Sequence, residues 1–235
     1  MGRLYEKNRL AFSLVWIAAY VVLLSLADSL SLSLGMAKLV TAPVCGGFVL
    51  AILGFLKKRN LWERYGFCRF QGDGKTYLYF LPLVLIGSVN FWNGVALHAS
   101  AAETVLFLWS MACVGLIEEV LFRGFLFKAL LEKGEWGAIL ISSLTFGMGH
   151  IVNLLNGQDP FGTLLQIGYA GAVGFLFTML FLKGKSLVPC ILTHSIVNGS
   201  SLFAVEFSQP ALSAAGAVLV SAVSIAYALW IRKRG

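Results

Sequence analysis

Of 235 residues, 58% are hydrophobic and 12% charged, with a mean hydropathy of +0.82, far from the roughly 45–50% apolar and 25% charged of soluble domains. That balance excludes an ordinary soluble enzyme and predicts a membrane protein. The formal charge of +7 would suggest nucleic acid in a soluble chain. Here the basic residues lie in short connections between apolar runs, where they act as orientation signals, and no nucleic-acid partner is expected. Cys45, Cys68, Cys113 and Cys190 are dispersed without metal-like pair spacing, which predicts reduced, structural thiols.

Apolar windows of about 20 residues, the length that spans a bilayer, fall near 10–30, 36–56, 77–97, 104–126, 136–153, 161–182, 187–206 and 211–230. The reading is all-α: a single integral-membrane domain over 1–235, with about eight transmembrane helices and a multi-pass place in the cell membrane. The first window is too long for a signal-peptide core and is read as a retained span. With the N-terminus inside, the clusters Arg3–Arg9, Lys57–Lys75, Lys128–Lys133, Lys183–Lys185 and Arg232–Arg234 all fall inside and only Lys38 falls outside. This alternation predicts cytoplasmic N- and C-termini. The connection Lys57–Thr76 resembles a basic interfacial segment with Trp62, Tyr65 and Phe67 as headgroup anchors; it reads first as a topology-setting loop and second as a segment in contact with lipid or substrate. Gly168, Gly171, Ala172 and Gly174 offer the sixth window a small-residue face for close helix packing. Asp28 sits at the outer end of the first window and is expected to meet water.

The fourth window carries GLIEEVLFRGFLF, Gly115–Phe127. A charge at the centre of a membrane helix costs about 2.5–3.5 kcal/mol even on lenient scales, so Glu118, Glu119 and Arg123 mark a functional place. On a helix Glu119 and Arg123, at i and i+4, share a face and neutralise each other, while Glu118 is turned about 100° away and left free. The fifth window places Phe146 and His150 on one face, and the seventh places His194 and Asn198 on one face. Glu118 and His150 lie at similar distances from the turn near Lys133–Gly134, roughly 24 Å, whereas His194 is roughly 15 Å from its own turn. The hairpins match in depth if the first protrudes further or tilts.

Two chemistries fit these groups. In one, Glu118 is a general base for water, His150 holds that water or passes its proton on, and His194 and Asn198 donate to the oxyanion of a tetrahedral intermediate. In the other, Glu118, His150 and His194 are the ligand set of a hydrolytic zinc centre. Cys190 lies one turn before His194, so a Cys–His nucleophile is a third, weaker arrangement. Further polar groups and a repeated half, which a proton-coupled transporter would show, are not evident.

EEVLFR (Glu118–Arg123), FGMGH (Phe146–His150) and HSIVN (His194–Asn198) resemble, in order and on separate windows, the EExxxR, FxxxH and HxxxN/D motifs of the CPBP family. That family comprises CAAX prenyl proteases and bacteriocin-processing enzymes and is also called Abi. The resemblance covers about residues 104–204. It implies an eight-helix intramembrane protease in which Glu118 and His150 activate water, His194 and Asn198 form the oxyanion hole, and Glu119, Arg123 and Phe146 support them. The resemblance leaves metal use open; the expectation is a metal-independent, glutamate-based mechanism, with zinc as the alternative. The expected substrate is a membrane-associated or apolar peptide or protein, lipidated or not, cleaved near the cytoplasmic leaflet. The competing expectation is a non-enzymatic scaffold or bacteriocin-immunity factor of the same family.

Overall fold

The computed structural model describes residues 1–71, 78 and 80–233. The end of the basic connection, including Lys75 and Thr76, and Arg234 lie outside the described residues. Among the described residues the fold is all-helical, with one isolated bridge between Val95 and Ala204. In chain order the helices are α1 (Gly2–Lys7), α2 (Arg9–Ser33), α3 (Thr41–Lys58), α4 (Leu81–Ser88), α5 (Ala101–Leu131), α6 (Glu135–Gly149), α7 (Pro160–Gly184), α8 (Val188–Ser200) and α9 (Pro210–Lys233).

Local chemistry sets the helix starts. The Asn8 side chain accepts from the Ala11 N–H at 2.9 Å to open α2, and Ser100 and Glu103 close a reciprocal capping box on α5. Asp159 caps α7 through the Gly162 N–H at 2.9 Å, directly before Pro160.

Six stretches are long and apolar enough to cross a membrane among the described residues: α2, α3, α5, α6 with its continuation to Leu154, α7 and α9. The expected eight windows each hold helix, but two are shorter than expected. In the window 77–97 the helical stretch is Leu81–Phe91, and α8 has 13 residues, about 20 Å against a hydrocarbon core of about 30 Å. Pro82 and Pro189 start these helices late, and both run out into 3₁₀ turns, Val89–Phe91 and Ser201–Phe203. A hydropathy window counts the apolar residues of those turns as if they were helix.

Contacts at the two ends show that the chain still alternates. At one end Glu6 pairs with Arg59 at 2.8 Å, Arg9 with Glu132, and Arg232 with Glu135 at 2.8 Å. The Leu187 N–H there donates to the Gly66 carbonyl at 2.9 Å. At the other end Lys38 pairs with Asp28 at 2.8 Å, and the Asn93 amide donates to the Glu206 carbonyl at 2.7 Å. The start of α1 and the end of α9 therefore share the basic end, and at the opposite end Lys38 is held by Asp28, which also meets the Thr41 hydroxyl. Tyr65 departs from its expected place as a headgroup anchor. It is buried, donates to the Tyr5 hydroxyl at 2.9 Å and packs edge-on against Phe125 with centroids 4.9 Å apart. Burial, with the hydrogen bond to Tyr5, pushes its phenol above the ordinary value.

The bundle is built around α5. From Ile117 to Phe127 every residue except Glu118 is buried. Over Val120–Leu126 the helix widens into a π turn, a form that is rare and frequent at functional sites. The Phe122 carbonyl there accepts from the Phe127 N–H and from the Ser142 hydroxyl of α6 at 2.8 Å. The small-residue face of α7 divides: Gly171 lies against the backbone of Gly147, Gly174 faces Arg123, and among the described residues nothing would stand within 4 Å of a Cβ at Gly168. Outside this core, Leu32, Leu50, Val84 and Leu164 are exposed, as apolar residues are where lipid replaces water.

Candidate functional site

The buried ion pair comes first. Arg123 donates through Nη1 to Glu119 Oε1 at 3.0 Å, with both side chains fully buried. The π turn does not break this i,i+4 pair. The guanidinium lies 4.0 Å from the centroid of the Phe146 ring, a cation–π contact that adds to its compensation. It fits there because position 174 has no side chain: a Cβ on Gly174 would stand 2.7 Å from Arg123 Nη2.

His194 comes in from α8. The approach of α8 to α5 depends on Gly115, where an added Cβ would stand 2.9 Å from the Ser195 backbone nitrogen. His194 Nδ1 is then 2.9 Å from Glu119 Oε1, and Nε2 is 3.4 Å from Glu118 Oε2. The imidazole bridges the two adjacent carboxylates. Glu118, expected to be free, is held at its other oxygen as well: the Tyr20 hydroxyl of α2 donates to Glu118 Oε1 at 2.6 Å. Its side chain remains 16% exposed, while that of Glu119 is fully buried, so Glu118 is the carboxylate of the two that another molecule can reach.

Phe146 separates the two histidines. Its ring meets His150 edge-on at 5.4 Å and His194 edge-on at 5.6 Å. His150 Nδ1 lies 3.2 Å from the Phe146 carbonyl at the end of α6, which leaves Nε2 as its outward nitrogen. His150, His194, Asn198 and Phe146 line a cavity of about 700 Å³ formed by α4, α6, α7, α8 and α9. Glu118, Glu119 and Arg123 are not among its lining residues, so His194 connects the carboxylates to the cavity. The mouth carries the exposed residues Asn93, Gln158, Asp159, Glu206 and Ser208, at the end where α7 and α9 begin. These residues lie at the end opposite the basic one.

The ligand set expected for zinc does not gather. Among the described residues no group of three or more His, Cys, Asp or Glu side chains is arranged to hold a metal ion. His150 lies across the Phe146 ring from His194, and both His194 nitrogens face carboxylates. The Cys–His arrangement does not form either: the Cys190 thiol is fully buried and turned to the Phe177 carbonyl, 3.7 Å away.

Two residues of the site have no counterpart in the sequence reading. Tyr20 is one, and the signal for it was a phenol in the middle of an apolar helix, where its O–H needs a partner. The other is Asn90, which donates to the Val197 carbonyl at 2.6 Å and to the Ser200 hydroxyl at 2.9 Å. It braces the end of α8 just beyond Asn198.

Residues 100–200, which hold all three motifs, match the family model described as Rce1-like, type II CAAX prenyl endopeptidase. No curated protein matches the chain, and no solved structure matches it.

Proposed function

We propose, from the Rce1-like match of residues 100–200, that the chain is an intramembrane endopeptidase that hydrolyses peptide bonds of apolar or lipidated peptides with water activated by Glu118. The observation that carries this reading is the chain of contacts Glu118–His194–Glu119–Arg123 placed against a cavity shared with His150 and Asn198. A partly accessible carboxylate fixed from both sides suits a general base, and geometry is the first requirement of that role.

The contacts also suggest how the roles divide. With Nδ1 turned to Glu119, His194 has Nε2 left for chemistry, and as imidazolium it carries a proton there. While Glu118 is a carboxylate, that N–H is directed to it. Once Glu118 has taken a proton from the attacking water it attracts the N–H less, and Nε2 then donates to the oxyanion together with the Asn198 amide. The proton taken by Glu118 passes to His150 and from it to the leaving amine as the C–N bond breaks, which restores the Glu118 carboxylate. The substrate enters by the mouth at the end remote from both termini. If those termini are cytoplasmic, as the distribution of lysine and arginine predicts, the mouth faces the far side of the membrane.

The test is cleavage by the protein in lipid nanodiscs of a panel of prenylated C-terminal peptides and apolar leader peptides, read by mass spectrometry beside Glu118→Ala. Products that vanish in the variant are expected. A folded wild-type protein that binds peptides and cuts none of them would favour the scaffold or immunity reading. A membrane-permeant chelator is expected to leave the rate unchanged. Loss of activity that added zinc restores would replace the glutamate-based mechanism with a metal-based one.

A further inference from the structure

We infer that Tyr20, on α2 and outside the segment that matches the family, is a positioning residue of the catalytic centre, fixing the Glu118 carboxylate through a phenol hydrogen bond. The inference rests on the reading of Glu118 as the base. Tyr20 Oη donates to Glu118 Oε1 at 2.6 Å, a short, charge-assisted distance, and the residue is 7% exposed. Its ring packs edge-on against Phe48 of α3, centroids 5.9 Å apart, so the hydroxyl is aimed by a ring that is itself held between helices.

The two oxygens of Glu118 thus have different neighbours. Oε1 is occupied by Tyr20 from one helix, and Oε2 faces His194 Nε2 from another at 3.4 Å. A carboxylate held at one oxygen cannot turn about its terminal bond, so the second oxygen keeps one direction, beside the histidine that borders the cavity. Water has to be met along that direction. Effective catalysis requires reacting atoms held within a narrow range of distance and angle, and a mid-membrane Glu without the phenol would sample several rotamers. Tyr20 does not line the cavity, so it acts through Glu118 and has no part in holding the substrate.

This division sets the test. Tyr20→Phe keeps the ring and removes one oxygen. In nanodiscs, kcat is expected to fall at least roughly tenfold, the scale of a lost hydrogen bond to a charged group, with KM and thermal unfolding temperature unchanged. Incorporation of 3-fluorotyrosine at position 20, which restores a donor, is expected to restore kcat. A merely structural tyrosine would instead lower the unfolding temperature and leave kcat of the folded fraction intact, and that result overturns the inference.

A second readout needs no turnover. The infrared C–O stretch of isotopically labelled tyrosine, isolated by subtracting the Tyr20→Phe spectrum, is expected to shift in Glu118→Gln protein; an unchanged band also overturns the inference. The two readings fail separately. Cleavage that persists in Glu118→Gln removes the base, whereas an inactive Glu118→Gln beside a fully active Tyr20→Phe removes the role of Tyr20 alone.

Discussion

Glu118→Gln is expected to abolish measurable cleavage while the protein keeps its fold. The amide preserves the shape of the side chain and can still accept from Tyr20, but it cannot take a proton from water at neutral pH. Loss of general base catalysis is worth roughly 10²–10⁴-fold in rate. Because Glu118 is partly exposed and its neighbour carries the buried pair, the unfolding temperature in nanodiscs should stay close to that of the wild type. Single-turnover cleavage of the best nanodisc substrate measures the rate. Equal rates for wild type and variant would remove Glu118 from the chemistry and leave His194 or His150 as the base.

Arg123→Ala acts on the other carboxylate and is expected to show the opposite pattern, a loss of fold before any question of rate. Glu119 and Arg123 are both fully buried and 3.0 Å apart. Removing one member of such a pair strands a charge in a low-dielectric interior, which costs about 3–5 kcal/mol. His194 is then the remaining partner of Glu119, and the space against Phe146 and Phe177 that the guanidinium filled is left open. Denaturant unfolding followed by tryptophan fluorescence reads the change. A variant as stable as the wild type would show that Glu119 is protonated in the folded protein and that the pair contributes no charge–charge stabilisation.

Spacing along one helix was legible from the sequence; encounters between helices were not. Glu119 and Arg123 had to meet because they are one turn apart on one helix, and they do. His194 was placed in the site by its motif, yet its bridging of both carboxylates depends on how closely α8 crosses α5 at Gly115, which periodicity does not encode. Tyr20 was hidden for a related reason. A phenol in an apolar helix announces a need for a partner but not its identity, and its partner lies 98 positions away. Six of the eight expected spans are helices of full length; apolar composition and helical length part company around Asn90 and after Ser200, where the backbone tightens into 3₁₀ turns.

The π turn of α5 fixes how many residues the motif helix can have. A π turn accommodates one residue more than the α-helical path it replaces, and one residue is worth about 100° of helical phase. Before the turn, Glu118 is directed to α2 and α8; near its far end, Phe125 is directed into the rings of Phe12, Trp16, Phe55 and Tyr65. The widened segment lets one rod satisfy both headings. Apart from Arg123, whose charge pairs with Glu119, side chains within Val120–Leu126 can therefore be exchanged for others of like size and polarity, but the segment cannot be shortened by a residue without either the carboxylate or the aromatic cluster turning away from its partners. In this helix the spacing of residues constrains variation as strongly as their chemistry does.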